Sequence, residues 1–355
     1  MKNYMFDGHK LMYHPLRVAE YIKNGDCNPL YMEVSPVSKC NYRCIFCAYD
    51  YLGYQDSMLE TKRLKEIITE LADAGVKSIL YAGEGEPLLH PDMPEIVAHT
   101  KKSGIDSGIY TNGFMLNEEN ISQLLPNLIF LRFSFNAGTA ENYSQIHKTP
   151  ESTFKKVVGN IKIAVKYRNY SGADLDIGQQ FVLIRENANT LFEAIKIARD
   201  SGIDYFVIKP FILQNENQSY KPEDHISAQE LEELFNKAES LSTNEFKVAA
   251  RKESFETYGQ RRYKHCYGTS FISVLNSRGD ISSCLPYWDR EKFTFGNIYQ
   301  NSFSEIWNGE QRAKIKCCLE NTLNVAACPP NCRPHRINEF LSEIKQPAVR
   351  HINFI

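Results

Sequence analysis

Two periodicities alternate along most of the chain. Short β-rich runs occur at 30–35 (LYMEVS), 76–81 (VKSILY), 105–110, 128–135 (LIFLRFSF), 175–184 and 205–210 (YFVIKP). Between them, apolar positions recur at helical spacing over 59–74, 92–103, 118–125, 140–147, 153–167 and 191–201. Gly75 and Gly104 stand where two of these helical patterns stop. Strands that alternate with helices in this way predict βα units around a parallel sheet, coiled or closed into a barrel-like form. Six units fall short of the eight-fold barrel. Ligands of such sheets sit on the loops at the C-terminal strand ends. The loops after Ser35, Tyr81, Tyr110, Phe135, Ile184 and Pro210 are therefore expected to carry the chemistry.

The pattern changes further on. Gln214–His225 (QNENQSYKPEDH) is polar and reads as a linker, and Ala228–Leu241 as an amphipathic helix. Beyond about residue 262 come short strands, glycine, proline and cysteine. The predicted organisation is an N-terminal extension (1–29), a barrel (30–225), a linker helix (226–262), a cysteine-rich domain (263–340) and a tail (341–355). A length of 355 residues fits two domains. With 43% hydrophobic and 12% aromatic residues, the chain can bury a sizeable core. The net charge of −2 argues against a nucleic-acid or anionic-membrane partner. No apolar run is long enough to span a membrane, and Met1–Lys10 lacks the apolar core of a signal peptide. A cytoplasmic location is expected.

In that compartment thiols stay reduced, so ten cysteines point to metal binding or catalysis. Cys27, Cys40, Cys44 and Cys47 lie early, and Cys266, Cys284, Cys317, Cys318, Cys328 and Cys332 lie late. Cys40-x3-Cys44-x2-Cys47 follows the first predicted strand. Thiolates at this spacing suit an iron–sulfur cluster or zinc. Structural zinc usually takes four ligands. Three thiolates on a four-iron cluster would leave one iron open to an exogenous ligand.

The triplet, with Phe46 before its last cysteine, resembles that of the radical S-adenosylmethionine (SAM) superfamily. Ala82-Gly83-Glu84-Gly85-Glu86-Pro87, after the second strand, looks like that family's Gly-Gly-Glu loop with Ala82 in the first glycine position. Thr111-Asn112-Gly113 and Ser134-Phe135-Asn136 end the third and fourth strands. The resemblance covers about residues 30–212 and implies an α/β partial (β/α)6 TIM-like barrel. It also implies a 4Fe–4S catalytic cluster on Cys40, Cys44 and Cys47, whose open iron is chelated by SAM. One electron then cleaves SAM to a 5′-deoxyadenosyl radical that abstracts hydrogen from substrate, while the protein positions the reactants and excludes water.

The resemblance suggests further roles. Gly83 would let the methionine moiety approach the backbone, and its carbonyl or Glu84 would accept from the ammonium. Thr111, Ser134 and Asn136 would meet the ribose, and Asn112 either the ligand or its own turn. Phe46 would pack on adenine, and Lys209 would bind a substrate anion or SAM's carboxylate.

Cys266-x12-Gly279-x4-Cys284 and Cys328-x3-Cys332 resemble the opening and closing of the SPASM and twitch domains that follow many such barrels. Gly296-Asn297-Ile298 and Ile306-Trp307 match stretches that pack these domains. Six late cysteines cannot fill a complete SPASM pattern. The resemblance therefore implies a small twitch/SPASM-like domain with one auxiliary 4Fe–4S cluster on Cys266, Cys284, Cys328 and Cys332. Cys317 or Cys318 could donate a hydrogen atom, replace a ligand, or be buried, and Cys27 is expected to be structural.

The expected activity is hydrogen abstraction from a small polar metabolite of the sugar, aminocyclitol or nucleotide-sugar type. The outcome would be dehydrogenation or epimerisation, with a flavodoxin- or ferredoxin-type electron donor. The alternatives are a ribosomal-peptide maturase and, from another class, a zinc-binding interaction protein. The segment Phe6–Asn28 could cap the barrel mouth, bringing His9 and His14 to substrate.

Overall fold

The computed structural model describes all residues except 1–3, 7, 213–216, 218–225, 289, 331 and 355. The predicted polar linker falls almost wholly outside the described residues. The six predicted strands are β1 (Tyr31–Val34), β2 (Ser78–Tyr81), β3 (Asp106–Thr111), β4 (Phe130–Ser134), β5 (Asp176–Leu183) and β6 (Tyr205–Pro210). They run parallel, each beside the next. A seventh parallel strand, β7 (Lys247–Ala250), pairs with β6 inside the segment expected to be only a linker helix. Its KVAA sequence is too short to show a period, and Val248 is its one fully buried residue.

Alternation along each strand separates two environments. Met32 and Val34, Ile79 and Tyr81, Leu131 and Phe133, and Phe206 and Ile208 pack outward into the main core. Tyr31 and Glu33, Tyr110, Arg132, Tyr205 and Lys209 alternate with them and face the barrel lumen. Two glycines make room there. A Cβ on Gly108 would lie 2.2 Å from the Phe130 ring, and one on Gly178 2.1 Å from the Tyr205 ring.

The cysteine-rich region does not form a separate sheet. Its strands β8 (Ile272–Leu275), β9 (Asp280–Ser282) and β10 (Thr294–Asn297) extend the barrel sheet. The order is β10-β9-β8-β1-β2-β3-β4-β5-β6-β7, with β8 parallel to β1.

The N-terminal segment does not cap the mouth. Its helix Pro15–Asn24 buries Val18 and Tyr21 against Tyr267, Phe271 and Leu341 of the C-terminal region. Tyr21 donates to Glu320, 2.9 Å away, and the His9 ring packs on Phe340. Tyr4 and Phe6 lie against Tyr205, at the N-terminal end of β6, and close the opposite end of the barrel. Apolar burial, not substrate, fixes this segment. Cys27 is buried, as expected, and Trp307 donates its indole N–H to the Cys27 carbonyl. Among the described residues no helix is long and apolar enough to cross a membrane.

Candidate active site

Cys40, Cys44 and Cys47 lie on the loop that leaves β1. The loop is tied to the helix Ala140–His147 by Ile45 N to Ile146 O (2.9 Å) and Arg43 N to His147 O (3.2 Å). Burial pushes the Cys40 thiol up to about 12 and raises Cys44 and Cys47; Glu86 and Cys47 add to the shift of Cys40, and Cys47 and Cys40 to that of Cys44. A cationic centre would reverse this by stabilising thiolates.

His147, 1% exposed, places Nδ1 3.1 Å from Cys44 Sγ. Its Nε2 can only accept from the Asn136 N–H, so Nδ1 carries the proton and faces the sulfur. Burial lowers His147 to about 3, so the ring stays neutral.

The loop after β2 buttresses the cysteine loop. A Cβ on Gly85 would lie 2.4 Å from Val37 O, 2.5 Å from Lys39 O and 2.8 Å from Ser38 C. The Glu86 N–H donates to Lys39 O at 3.0 Å. The buried Glu86 carboxylate accepts from Thr111 Oγ1 (2.6 Å), Asn112 N (2.7 Å) and Leu88 N (3.2 Å). Burial raises it to about 7, against these hydrogen bonds. Glu86 was overlooked because the same run also offers Glu84 two residues earlier. The close backbone approach at Gly85 marks Gly85-Glu86-Pro87 as the segment that touches the cysteine loop.

Glu84 sits differently from the expectation. Its carboxylate accepts from Ser277 N at 2.9 Å and Trp288 Nε1 at 3.2 Å, so it clamps the C-terminal region onto the barrel. Both carboxylate oxygens thus make hydrogen bonds within the protein. Gly83, at φ +115°, passes beneath Ser35 and Trp288.

In the C-terminal region four thiols share one neighbourhood. Cys266 and Cys284 are buried and Cys328 and Cys332 half-buried; burial first, with neighbouring thiols adding to it, raises Cys266, Cys284 and Cys332, Cys266 to about 11. Tyr287 Oη lies 3.3 Å from Cys328 Sγ, and Asn338 Nδ2 donates to Cys266 Sγ at 3.4 Å. Cys317 and Cys318 are excluded from this group. Both are exposed on the helix Glu310–Asn321, beside Asn321 and Thr322 one turn on, while Arg312, Ile315 and Leu319 take its buried face.

A family profile described as the radical SAM superfamily matches residues 34–180, and one described as an iron–sulfur cluster-binding domain matches 266–333. The chain belongs to the radical SAM superfamily. This radical SAM protein is 24% identical over 311 residues to a tungsten-containing aldehyde ferredoxin oxidoreductase cofactor-modifying protein of Pyrococcus furiosus, covering 83% of this chain and 84% of that one. It is 25% identical over 299 residues to an AdoMet-dependent heme synthase of Methanosarcina barkeri, covering 78% and 82%. Its fold resembles the crystal structure of Streptococcus suis SuiB bound to S-adenosylmethionine, with TM-score 0.66 and 17% identity over 90% of this chain and 75% of that one. SuiB bound to its precursor peptide SuiA gives TM-score 0.65 and 16% identity over 98% and 81%.

Membership implies SAM with a 4Fe–4S catalytic cluster, and the second domain implies auxiliary clusters. The donor sets fit. Tetrahedral zinc with bonds of about 2.3 Å would need its sulfurs about 3.8 Å apart. Among the described residues no three His, Cys, Asp or Glu side chains gather closely enough to hold a single metal ion.

Several other residues of this radical SAM protein predicted to meet the ligand also make hydrogen bonds within the chain. Thr111 donates to Glu86. Asn112 holds its own turn through Phe114 N (2.9 Å) and donates to Asn41 Oδ1 (2.7 Å). Ser134 accepts from Gln180 (3.0 Å), and Asn136 Oδ1 accepts from Val182 N (2.7 Å). Thr111 and Asn136 thus brace the strand ends. Phe46 packs with Val182, Ile184 and Phe211 at the mouth. Lys209 faces the lumen.

Proposed function

We propose that this radical SAM enzyme dehydrogenates a small polar metabolite of the sugar, aminocyclitol or nucleotide-sugar type. Cys40, Cys44 and Cys47 hold the catalytic cluster, and Cys266, Cys284, Cys328 and Cys332 hold one auxiliary cluster that accepts the second electron. When bound, SAM and the reduced catalytic cluster supply a 5′-deoxyadenosyl radical.

The chain's own residues hold and position these groups. Gly85 and Glu86 fix the path of the cysteine loop, and His147 sets the surroundings of Cys44. Glu84 and Trp288 fasten the C-terminal domain at the mouth.

The observation that carries the reading is Arg333. It follows Cys332 directly and reaches Glu33 on β1 at 2.7 Å. One residue thus separates an auxiliary-cluster ligand from the lumen where substrate would sit. Epimerisation is disfavoured because it needs a hydrogen donor at the lumen, whereas Cys317 and Cys318 face solvent on an outer helix. The cofactor-modifying protein and the heme synthase are named for small-molecule chemistry, which supports a metabolite substrate. A peptide substrate is the second reading, suggested by SuiB's complex with a precursor peptide. A cytoplasmic flavodoxin or ferredoxin would supply the first electron.

Anaerobic reconstitution should give about eight iron atoms per chain, and dithionite with SAM should release 5′-deoxyadenosine. Release by a Cys44→Ala protein would refute the assignment. Dehydrogenation is read as the loss of two hydrogens from substrate. A product of unchanged mass that gains deuterium from D2O would instead establish epimerisation.

A further inference from the structure

His147 is the last residue of the helix Ala140–His147, which Lys148 stops at φ +52°. It meets the cysteine loop on both sides of its peptide unit. The main chain accepts from Arg43 N at 3.2 Å, and the ring places Nδ1 3.1 Å from Cys44 Sγ. The direction of the second contact is set by the far side of the ring. Nε2 accepts from the Asn136 N–H at 3.4 Å and so keeps its lone pair. The ring's proton then sits on Nδ1. A cysteine sulfur bonded to iron has no proton to give, so Nδ1–H donates and Sγ accepts.

The donor is held in place. The His147 ring centre lies 4.3 Å from that of Tyr143, 5.5 Å from Tyr42 and 6.2 Å from Phe46. The Tyr42 and Tyr143 hydroxyls stand 3.3 Å apart beside it. Asn136, which fixes Nε2, is itself fastened by Val182 N at 2.7 Å and Asn187 Nδ2 at 2.9 Å. The imidazole is neutral in this arrangement, so it acts through its N–H dipole.

The sign of that action follows from charge. Reduction adds one negative charge to a cluster held by Cys44, and an N–H aimed at the sulfur stabilises the more negative state more. The helix itself works the other way, because its carbonyl end faces the loop. Two of those carbonyls, on Ile146 and His147, are occupied by Ile45 N and Arg43 N. Cys40 Sγ is approached at 3.5 Å by the Tyr42 N–H, a main-chain donor that side-chain substitution leaves in place.

We propose that His147 is a positioning residue that raises the reduction potential of the catalytic cluster through an Nδ1–H···Sγ hydrogen bond to Cys44. This rests on the reading of Cys40, Cys44 and Cys47 as the cluster ligands and adds a tuning residue to them.

The test is an anaerobic redox titration of the reconstituted full chain, followed by electron paramagnetic resonance. The catalytic cluster is recognised as the one whose signal changes when SAM is added. His147→Phe keeps an aromatic ring but removes the donor. At a fixed potential its catalytic cluster should be about tenfold less reduced than in wild type, a shift of about 59 mV for one electron. His147→Asn returns an amide N–H to the Nδ1 position and should restore the wild-type value. The auxiliary cluster should not move in either variant. Equal potentials in all three proteins, a rise in His147→Phe, a joint shift of both clusters, or no recovery in His147→Asn would each overturn the proposal. A second measurement needs no substitution. Wild type labelled with ¹⁵N-histidine should show a ¹⁵N coupling to the SAM-sensitive cluster in pulsed resonance spectra, and its absence would also overturn the proposal. Iron analysis tests the underlying reading separately. A Cys44→Ala protein that keeps about eight iron atoms fails the ligand assignment, whereas fully loaded His147 variants with unmoved potentials fail only this inference.

Discussion

Gly85→Ala should uncouple the catalytic cluster from the rest of the protein. The added methyl would meet Val37 O at 2.4 Å, Lys39 O at 2.5 Å and Ser38 C at 2.8 Å. All three are backbone atoms of the segment entering Cys40, so no rotamer can relieve the clash. Either that segment or the Gly85 loop must move by more than half an ångström. The Glu86 N–H to Lys39 O bond lies on the same seam and would be strained with it. Overpacking against immobile atoms costs about 1–3 kcal/mol, and the upper part of that range is expected here. Iron analysis after anaerobic reconstitution should fall from about eight to about four per chain, because the C-terminal thiols are untouched. Urea unfolding gives the stability change. Gly159→Ala is the matched control. It lies in the helix Ser152–Ser171 with nothing within 4 Å of the new Cβ, and should be stabilising by about 0.5–1 kcal/mol. A Gly85→Ala protein with full iron and unchanged stability would refute this account of the loop.

Glu84→Gln should loosen the C-terminal domain by about 1.5–3 kcal/mol, because two hydrogen bonds to a buried carboxylate are replaced by weaker ones. Fluorescence of Trp288 should report the change, and an unaltered transition would count against the clamp. Tyr287→Phe removes the hydroxyl 3.3 Å from Cys328 Sγ. The auxiliary cluster's midpoint potential should drop by tens of millivolts, with the catalytic cluster unmoved, and equal potentials would dismiss the contact. Lys209, lowered from 10.5 to about 7, binds fewer protons in the folded than in the unfolded chain between those values. Stability should therefore rise with pH from about 7 towards 10. Lys209→Met should flatten that rise even though Arg132, Arg251, Arg333 and Glu33 still face the site.

The barrel was legible because each of its units carries its own period. The bounds of β6 and of the helix Ala140–His147 were read to the residue. The cysteine triplet was legible because its ligands are local. The features that were missed depend on tertiary contacts. Nothing around Glu86 distinguishes it from Glu84 until Gly85 is seen pressed on the Val37–Lys39 backbone. His147 ends an ordinary amphipathic helix, and only folding brings it to Cys44. Arg333 reads as a basic residue after a cysteine, yet it enters a chamber formed about 300 residues earlier. Cys317 and Cys318 show the reverse: a conspicuous pair in sequence that the helix turns towards solvent.

The pairing of β8 with β1 bears on how the molecule is made. Tyr31 lies opposite Ile272, and Val34 opposite Leu275. During synthesis the first barrel strand therefore keeps one edge bare until residues 272–275, about 240 positions further on, have emerged. Exposed edges invite pairing with other chains, and contacts so distant in sequence form slowly. The cysteine loop that continues from β1 would gain its final support only after β8 docks, so assembly of the catalytic centre should be a late event in biogenesis. Cutting the chain near residue 262 would not free an independent barrel but leave one with an open seam.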